Sequence, residues 1–101
     1  MIPKTQPIRS KKIRDAARGE HCTMNGPTCR YDRETTVFCH LNESFAGKGM
    51  GMKAHDIAGF FGCAECHAAY DGGMLGDKYF YALRAVTRTM IRLVERGVIR
   101  L

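Results

Sequence analysis

Five consecutive residues, Cys63-Ala64-Glu65-Cys66-His67, hold the densest set of metal-binding side chains in the chain. A C-x-x-C-H run is the attachment signal of a c-type haem, with two thioether-forming cysteines and an axial histidine. The same cysteine spacing supplies half of a tetrahedral zinc site when another pair of thiols is available. The choice between haem and zinc therefore depends on the remaining cysteines.

A second pair of cysteines favours zinc. Asn25-Gly26-Pro27 predicts a turn that bends the chain between Cys22 and Cys29, so that both thiols can face one point. We therefore predict one structural zinc site, in which His21 could replace a cysteine, with the ligands Cys22, Cys29, Cys63 and Cys66. A haem would leave the first pair without a role and would require export, for which no secretory signal is visible. The fifth cysteine, Cys39, is expected to pack in the core.

Size and charge restrict the function further. A chain of 101 residues forms one domain with a small core, and its net charge of +6 with a pI near 9.3 predicts a polyanionic partner. Nucleic acid is favoured because the charge is unevenly placed along the chain, and no apolar run reaches transmembrane length. We expect a cytoplasmic location, where paired cysteines indicate metal rather than disulfides.

The positive charge concentrates near the two ends of the chain. Nucleic-acid contacts are predicted for six of these residues, although a solvated basic surface would give the same pattern: Lys11, Lys12, Arg14, Arg84, Arg88 and Arg92. Residues 1–9 are predicted to be a basic flexible arm, and residues 10–101 a single domain.

Several elements can be predicted from local patterns. Ser10 could cap a short basic helix that ends at Gly19, and the β-branched and aromatic run Thr35–Leu41 predicts a strand. Period-two alternation would place Phe38 and His40 on one strand face and Cys39 on the other.

The second half of the chain predicts more helix. Residues 47–53 are too rich in glycine for a regular element, whereas Cys66–Tyr70 predicts a short helix. A long helix is predicted over Lys78–Arg96, ended by Gly97. Its predicted buried face consists of apolar side chains and one threonine at helical spacing: Phe80, Leu83, Val86, Thr87, Met90, Ile91 and Val94.

Residues 14–98 resemble a known family of enzymes. The cysteine pairs, Thr36-Val37-Phe38-Cys39-His40, the glycine-rich loop and Gly62–Gly72 are together similar to the HNH (His-Me finger, ββα-metal) endonucleases. The closest resemblance is to small prophage-encoded nucleases with four zinc-binding cysteines. It implies an α+β fold, namely a small zinc-stabilised ββα-metal domain with a long C-terminal helix.

The resemblance also implies roles for individual residues. His40 would be the general base for hydrolysis of a DNA phosphodiester, and Asp56 would orient it. His67 and Asp71 would hold one catalytic divalent cation, Mg²⁺ or Mn²⁺, with His55 as a further ligand. The family usually carries Asp or His directly before the catalytic histidine, where this chain has Cys39, whose thiol suits Mg²⁺ poorly.

A second interpretation shares the zinc and the charge but assigns no catalysis. In it the protein is a zinc-containing nucleic-acid-binding module, a degenerate nuclease. Neither interpretation decides between duplex, single-stranded or branched DNA and RNA, or whether a recombination or replication protein takes part.

Overall fold

The computed structural model describes residues 6–101 and has a small α+β fold, as predicted. Its elements, in chain order, are α1 (Lys11–Asp15), β1 (Val37–His40), β2 (Gly59–Gly62), α2 (Ala64–Asp71) and α3 (Lys78–Glu95). Short 3₁₀ turns at Arg33–Thr35 and Ser44–Ala46 flank β1. None of the helices in the described residues has both the length and the apolar composition needed to cross a bilayer.

The two strands form an antiparallel pair followed directly by α2. Cys39 pairs with Phe60, and His40 pairs with Gly59 at the end of the ladder next to the connecting segment 41–58. The rings of Phe38 and His40 lie edge to face, 5.1 Å apart, so these two side chains share one face of β1 as the alternation predicted. A side chain at Gly59 would collide with the Cys39 carbonyl 2.5 Å away, so only glycine fits opposite His40.

The chain before α1 is attached to the loop that precedes β2. The Ile8 N–H donates to His55 Nδ1 at 2.9 Å, and the Asp56 N–H donates to the Ile8 carbonyl at 2.9 Å. Arg9 donates to the carbonyls of Lys53 and Ala54. Ser10 then caps α1, as predicted, by accepting from the Ile13 N–H. Of the predicted flexible arm, residues 1–5 lie outside the described residues.

Strand β2 is buried on both faces and divides the core into two clusters. Phe60 packs with the thiols and with Tyr70 of α2, whereas Phe61 packs with Ile13 and with Leu93 of α3. An isolated two-stranded hairpin is marginally stable in water, so this hairpin depends on the helices and loops that cover it.

Helix α3 has the predicted position but packs through a different face. The residues that it buries are Ala85, Thr89 and Leu93. The prediction is wrong for five members of the expected buried face, all of which are exposed: Phe80, Leu83, Thr87, Ile91 and Val94. Val86 and Met90 are partly buried. Small side chains at the contact let the helix approach β2 closely, and the larger apolar side chains point outward.

A buried hydrogen-bond network joins three parts of the chain. The Thr89 hydroxyl of α3 accepts from the Phe61 N–H of β2 at 3.0 Å and lies 2.9 Å from the Thr23 hydroxyl. Thr23 in turn donates to the Phe61 carbonyl through both its backbone N–H, at 2.8 Å, and its hydroxyl, at 2.9 Å. Thr89 is fully buried, so each of these groups has a protein partner instead of water.

The substitution Thr89→Val tests this network. It keeps the shape of the side chain but leaves the buried Phe61 N–H without an acceptor, which should lower the free energy of unfolding by about 1–3 kcal/mol. Urea unfolding of dilute protein measures the change. Thr87→Val, on the exposed side of the same helix, should alter stability by less than about 0.5 kcal/mol. Equal effects of the two substitutions would contradict the assigned role.

Candidate functional site

Four cysteine thiols from two distant chain segments meet at one point. The Sγ atoms of Cys22, Cys29, Cys63 and Cys66 all lie within 4.8 Å of one another, and those of Cys29 and Cys63 are 3.7 Å apart. Four thiolates around a tetrahedral zinc, with bonds of about 2.3 Å, would be separated by about 3.8 Å. The donor set and its spacing therefore fit zinc, and the cluster could hold it. His21 is exposed and not part of the cluster.

Backbone N–H groups donate hydrogen bonds to two sulfur atoms of the cluster. The Gly26 N–H donates to Cys66 Sγ and the Tyr31 N–H donates to Cys29 Sγ, each at 3.4 Å. Cys63 caps α2 and Cys66 lies in its first turn, where the helix dipole favours negative charge. Burial acts in the opposite direction and raises the pKa of Cys66. A bound dication would offset that cost, because it deprotonates its thiol ligands.

The fifth cysteine lies in the core and not in the cluster. Cys39 is 1% exposed, and its thiol lies near the Val37 and Gly62 carbonyls. Burial raises the pKa of this thiol to about 12, so it stays neutral at physiological pH. Cys39 is therefore a small apolar core residue, in agreement with the prediction.

His40 forms a buried pair with Asp56 across the hairpin. His40 Nε2 lies 2.7 Å from Asp56 Oδ1, and Asp56 is 1% exposed. Since an ionised carboxylate only accepts hydrogen bonds, Nε2 is the donor, and in the neutral imidazole Nδ1 then keeps its lone pair. The residues are sixteen positions apart in sequence, and the turn before β2 brings them together.

Asp56 is held in place by the segment before α1. Its Oδ2 accepts from the Ser10 N–H at 2.7 Å and from the Arg14 guanidinium, and Arg9 lies 3.6 Å from its Oδ1. Burial alone would raise the pKa of Asp56, but the hydrogen bonds from His40, Ser10 and Arg14 outweigh it and leave that pKa below its ordinary value. The carboxylate therefore stays ionised and fixes the orientation of the imidazole.

His40 and His67, the candidate base and the candidate metal ligand, line one cavity. This cavity, hereafter the His40 cavity, has a volume of about 240 Å³ and is lined by Phe38, His40, Leu41, Asn42, Lys48, Lys53, Ala54, His67 and Asp71. His67 and Asp71 lie one turn apart on α2, with His67 Nε2 3.1 Å from Asp71 Oδ2. Both side chains are partly exposed, so they are accessible to a ligand in the cavity.

His55 Nδ1 already has a hydrogen-bond partner and so does not serve as a metal ligand in the His40 cavity. That nitrogen accepts the Ile8 N–H at 2.9 Å, which leaves Nε2 as the ring's second polar atom. The imidazole also packs on Gly47, where an added Cβ would lie 2.7 Å from the ring. In the described residues, the four cysteines are the only group of three or more His, Cys, Asp or Glu side chains close enough to share a metal. A second metal site at His67 and Asp71 remains a prediction.

The structure adds three residues that sequence reasoning missed. Asn42 donates through its amide to Asp71 Oδ1 at 2.8 Å, and Lys48 and Lys53 line the His40 cavity. An asparagine two residues after the candidate general base was a signal that could have been used. The two lysines lie in the glycine-rich loop, whose path the sequence pattern did not predict.

The arginines of α3 have partners within the protein. Arg84 donates to the Met24 and Asn25 carbonyls, and Arg88 donates to the Asn25 side chain. Arg92 pairs with Glu20 at 3.0 Å, and near the other end of the chain Lys11 pairs with Asp15 and Arg14 with Asp56. The contacts of Arg84, Arg88 and Arg92 attach the segment before and within the first cysteine pair to α3. Nucleic-acid binding by the six basic residues named above stays a prediction.

Loss of one cluster thiol should release the metal. The protein is expected to bind one zinc per chain, and Cys63→Ser should abolish that zinc and unfold the domain, because three remaining thiols hold zinc weakly. Metal analysis of purified protein and far-UV circular dichroism are the measurements. Cys39→Ser is the matched control and should keep its zinc. A folded, metal-free Cys63→Ser protein with unchanged melting would contradict the prediction.

Comparisons with known proteins assign the family. The model of the family described as "Putative nuclease YbcO" matches residues 11–98. A solved structure, described as "Structure of a putative bacteriophage protein from Escherichia coli str. K-12 substr. MG1655", superposes with a TM-score of 0.65 at 27% identity, over 85% of this chain and 100% of the other. No curated protein matches the chain. Because the family model covers the cysteine pairs, the hairpin and all of α3, the chain belongs to the YbcO family.

Proposed function

We propose that this protein is a metal-dependent endonuclease of the HNH type, in which His40 is the general base that activates water to attack a DNA phosphodiester. The observation that carries this proposal is the buried His40–Asp56 pair, which opens onto the same cavity as His67 and Asp71. A β-hairpin followed by a helix, with one histidine at the end of the first strand and another on the helix, is the arrangement that the resemblance implies. Membership of a nuclease family supports a nucleic-acid substrate.

The proton-transfer step follows from the tautomer of His40. The water bound at Nδ1 gives its proton to that nitrogen as it attacks phosphorus, and Asp56 stabilises the resulting imidazolium through the hydrogen bond at Nε2. In the described residues no protein group is hydrogen-bonded to Nδ1, so a substrate water can occupy that position. Asp56 performs this task because Ser10 and Arg14 keep it ionised.

His67 and Asp71 would hold the catalytic cation. A bound divalent cation would stabilise the negative charge that develops on the phosphate and on the leaving oxygen. One imidazole and one carboxylate are a small set of protein ligands, so water and phosphate oxygens would complete the coordination. A nitrogen ligand suits Mn²⁺ better than Mg²⁺. Lys48 and Lys53 would attract the phosphate backbone to the His40 cavity.

The same cavity gives one reason to consider the non-catalytic alternative. Asp71 is already engaged by Asn42 and by His67, and Cys39 supplies no acidic ligand beside His40. In the non-catalytic alternative the protein binds nucleic acid through its basic surface and does not cut it. A recombination or replication protein would then be the one to use the bound strand.

Cleavage of supercoiled plasmid separates the two functions. Wild-type protein is expected to nick the plasmid with Mn²⁺ and more slowly with Mg²⁺, and His40→Ala should lower the rate at least about 100-fold. Both proteins should bind DNA equally in a gel-shift assay. If wild type and variant bind DNA but are equally inert with every divalent cation tested, the binding module is the correct function. Equal cleavage by both would exclude His40 as the base.

Asp56→Asn tests the orienting role separately. The amide has nearly the shape of the carboxylate but cannot stabilise an imidazolium, so the nicking rate should fall about 100-fold or more while DNA affinity is unchanged. Asp15→Asn, which removes an exposed partner of Lys11, is the matched control and should cleave like wild type. Folding of each variant is checked by circular dichroism. A folded Asp56→Asn protein with full activity would contradict the proposed pair.

A further inference from the structure

The exposed face of α3 carries a regular apolar stripe, hereafter the α3 stripe. It consists of Phe80, Leu83, Thr87, Ile91 and Val94, all of which are exposed. Leu83 is 69%, Ile91 55% and Phe80 52% exposed, and none of the three belongs to either core cluster. Four apolar side chains in one row, interrupted only by Thr87, are unusual on the surface of a monomeric protein.

The α3 stripe continues into an apolar groove. The groove has a volume of about 340 Å³ and lies between α3 and the chain around the second 3₁₀ turn, lined by Leu41, Glu43, Phe45, Tyr70, Tyr79, Ala82, Leu83 and Val86. Phe45 is 80% and Tyr79 66% exposed at its rim. Together the stripe and the rim expose on the order of 700 Å², close to the roughly 800 Å² that each partner buries in a stable interface.

The order of residues in the α3 stripe is symmetric about Thr87. Leu83 and Ile91 lie four residues to either side of it, and Phe80 and Val94 lie seven residues to either side. A twofold axis through Thr87 would therefore place Leu83 against Ile91 of the partner subunit and Phe80 against Val94 of the partner subunit. Each pair joins two apolar side chains, and the largest member of the stripe meets the smallest apolar one. A self-complementary patch is what a twofold interface requires.

The geometry points to an antiparallel dimer of this protein, formed by the α3 stripes of two copies around a twofold axis at Thr87. The groove beside residues 79–86 then lies level with residues 88–95 of the other copy, which would cover it. Antiparallel helices also place opposite ends of their dipoles side by side. This dimer is independent of whether the His40 cavity is catalytic.

The arginine side chains beside the α3 stripe determine how the stability of this dimer depends on salt. Arg84 and Arg88 run along one edge of the α3 stripe, and the twofold axis brings the two equivalent edges together. Their guanidinium groups are directed to acceptors in residues 23–25, and Arg92 is paired with Glu20. The remaining repulsion is between exposed charges, so it is screened by salt. Association should therefore strengthen as the salt concentration rises.

Sedimentation equilibrium of the full chain tests the dimer. Wild type should dimerise at about 100 µM or below, which is the range of a modest interface. Thr87→Arg should weaken association at least tenfold, because two introduced guanidinium groups would face each other across the axis. Thr28→Arg adds the same charge at an exposed threonine outside the α3 stripe and should leave association unchanged. A monomeric wild type, or equal association of all three proteins, would overturn the proposal.

Cross-linking tests the register of the helices. With axes about 8–10 Å apart and Cα atoms about 2.3 Å from each axis, the two Thr87 Cα atoms would lie about 3.5–5.5 Å apart, which overlaps the Cα separation found in disulfides. Thr87→Cys should therefore give a covalent dimer under mild oxidation of the zinc-loaded protein, and Glu34→Cys, at an exposed position outside the α3 stripe and the cysteine cluster, should not. A dimer that forms without cross-linking at position 87 would overturn the proposed axis.

Discussion

The convergence of four thiols is the constraint on which the rest of the structure depends. In the part of the chain that the structure describes, the sheet has two strands of four residues, and such a hairpin does not provide a stable core by itself. The cysteine cluster joins the loop at residues 22–29 to the end of β2 and the start of α2. A metal bound there would contribute its binding free energy to folding, which is how small domains compensate for a small core. Phe60 packs directly against this cluster, so the sulfur ligands and the apolar core form one unit.

Two further sets of contacts connect this unit to the rest of the protein and position the His40 site. Thr23, Phe61 and Thr89 connect the first cysteine loop to β2 and α3, and the arginines of α3 hold the same loop from outside. On the opposite side, Ser10 and Arg14 hold Asp56, which holds His40. The orientation of His40, the candidate base, thus depends on the segment before α1 as well as on the hairpin. Basic side chains that look available for nucleic acid in the sequence are in part structural.

On α3, arginine side chains make contacts within the protein, whereas several large apolar side chains are exposed to solvent. Arg84 and Arg88 are turned toward backbone carbonyls of the protein, whereas Phe80, Leu83 and Ile91 face solvent. The buried contact is made by Ala85, Thr89 and Leu93, and the small size of the first two allows close packing on β2. An outward apolar face of this kind gives the helix a second surface to bury, and the symmetry of its residues about Thr87 fits a second copy of the chain.

The sequence by itself determined the features that local chemistry controls. The spacing of the cysteines predicted one four-thiol site and left Cys39 out of it, and a helical repeat ended by glycine predicted α3 to within a residue. The alternation in β1 correctly placed Phe38 beside His40. Only the tertiary structure decided which face of α3 is buried, because periodicity identifies an apolar face but not the surface that packs against it. The tertiary structure also brings Asp56 to His40 and gives Arg14 and Arg84 partners within the protein. Each of these contacts joins residues that are far apart in the chain, and no local sequence pattern encodes such a contact.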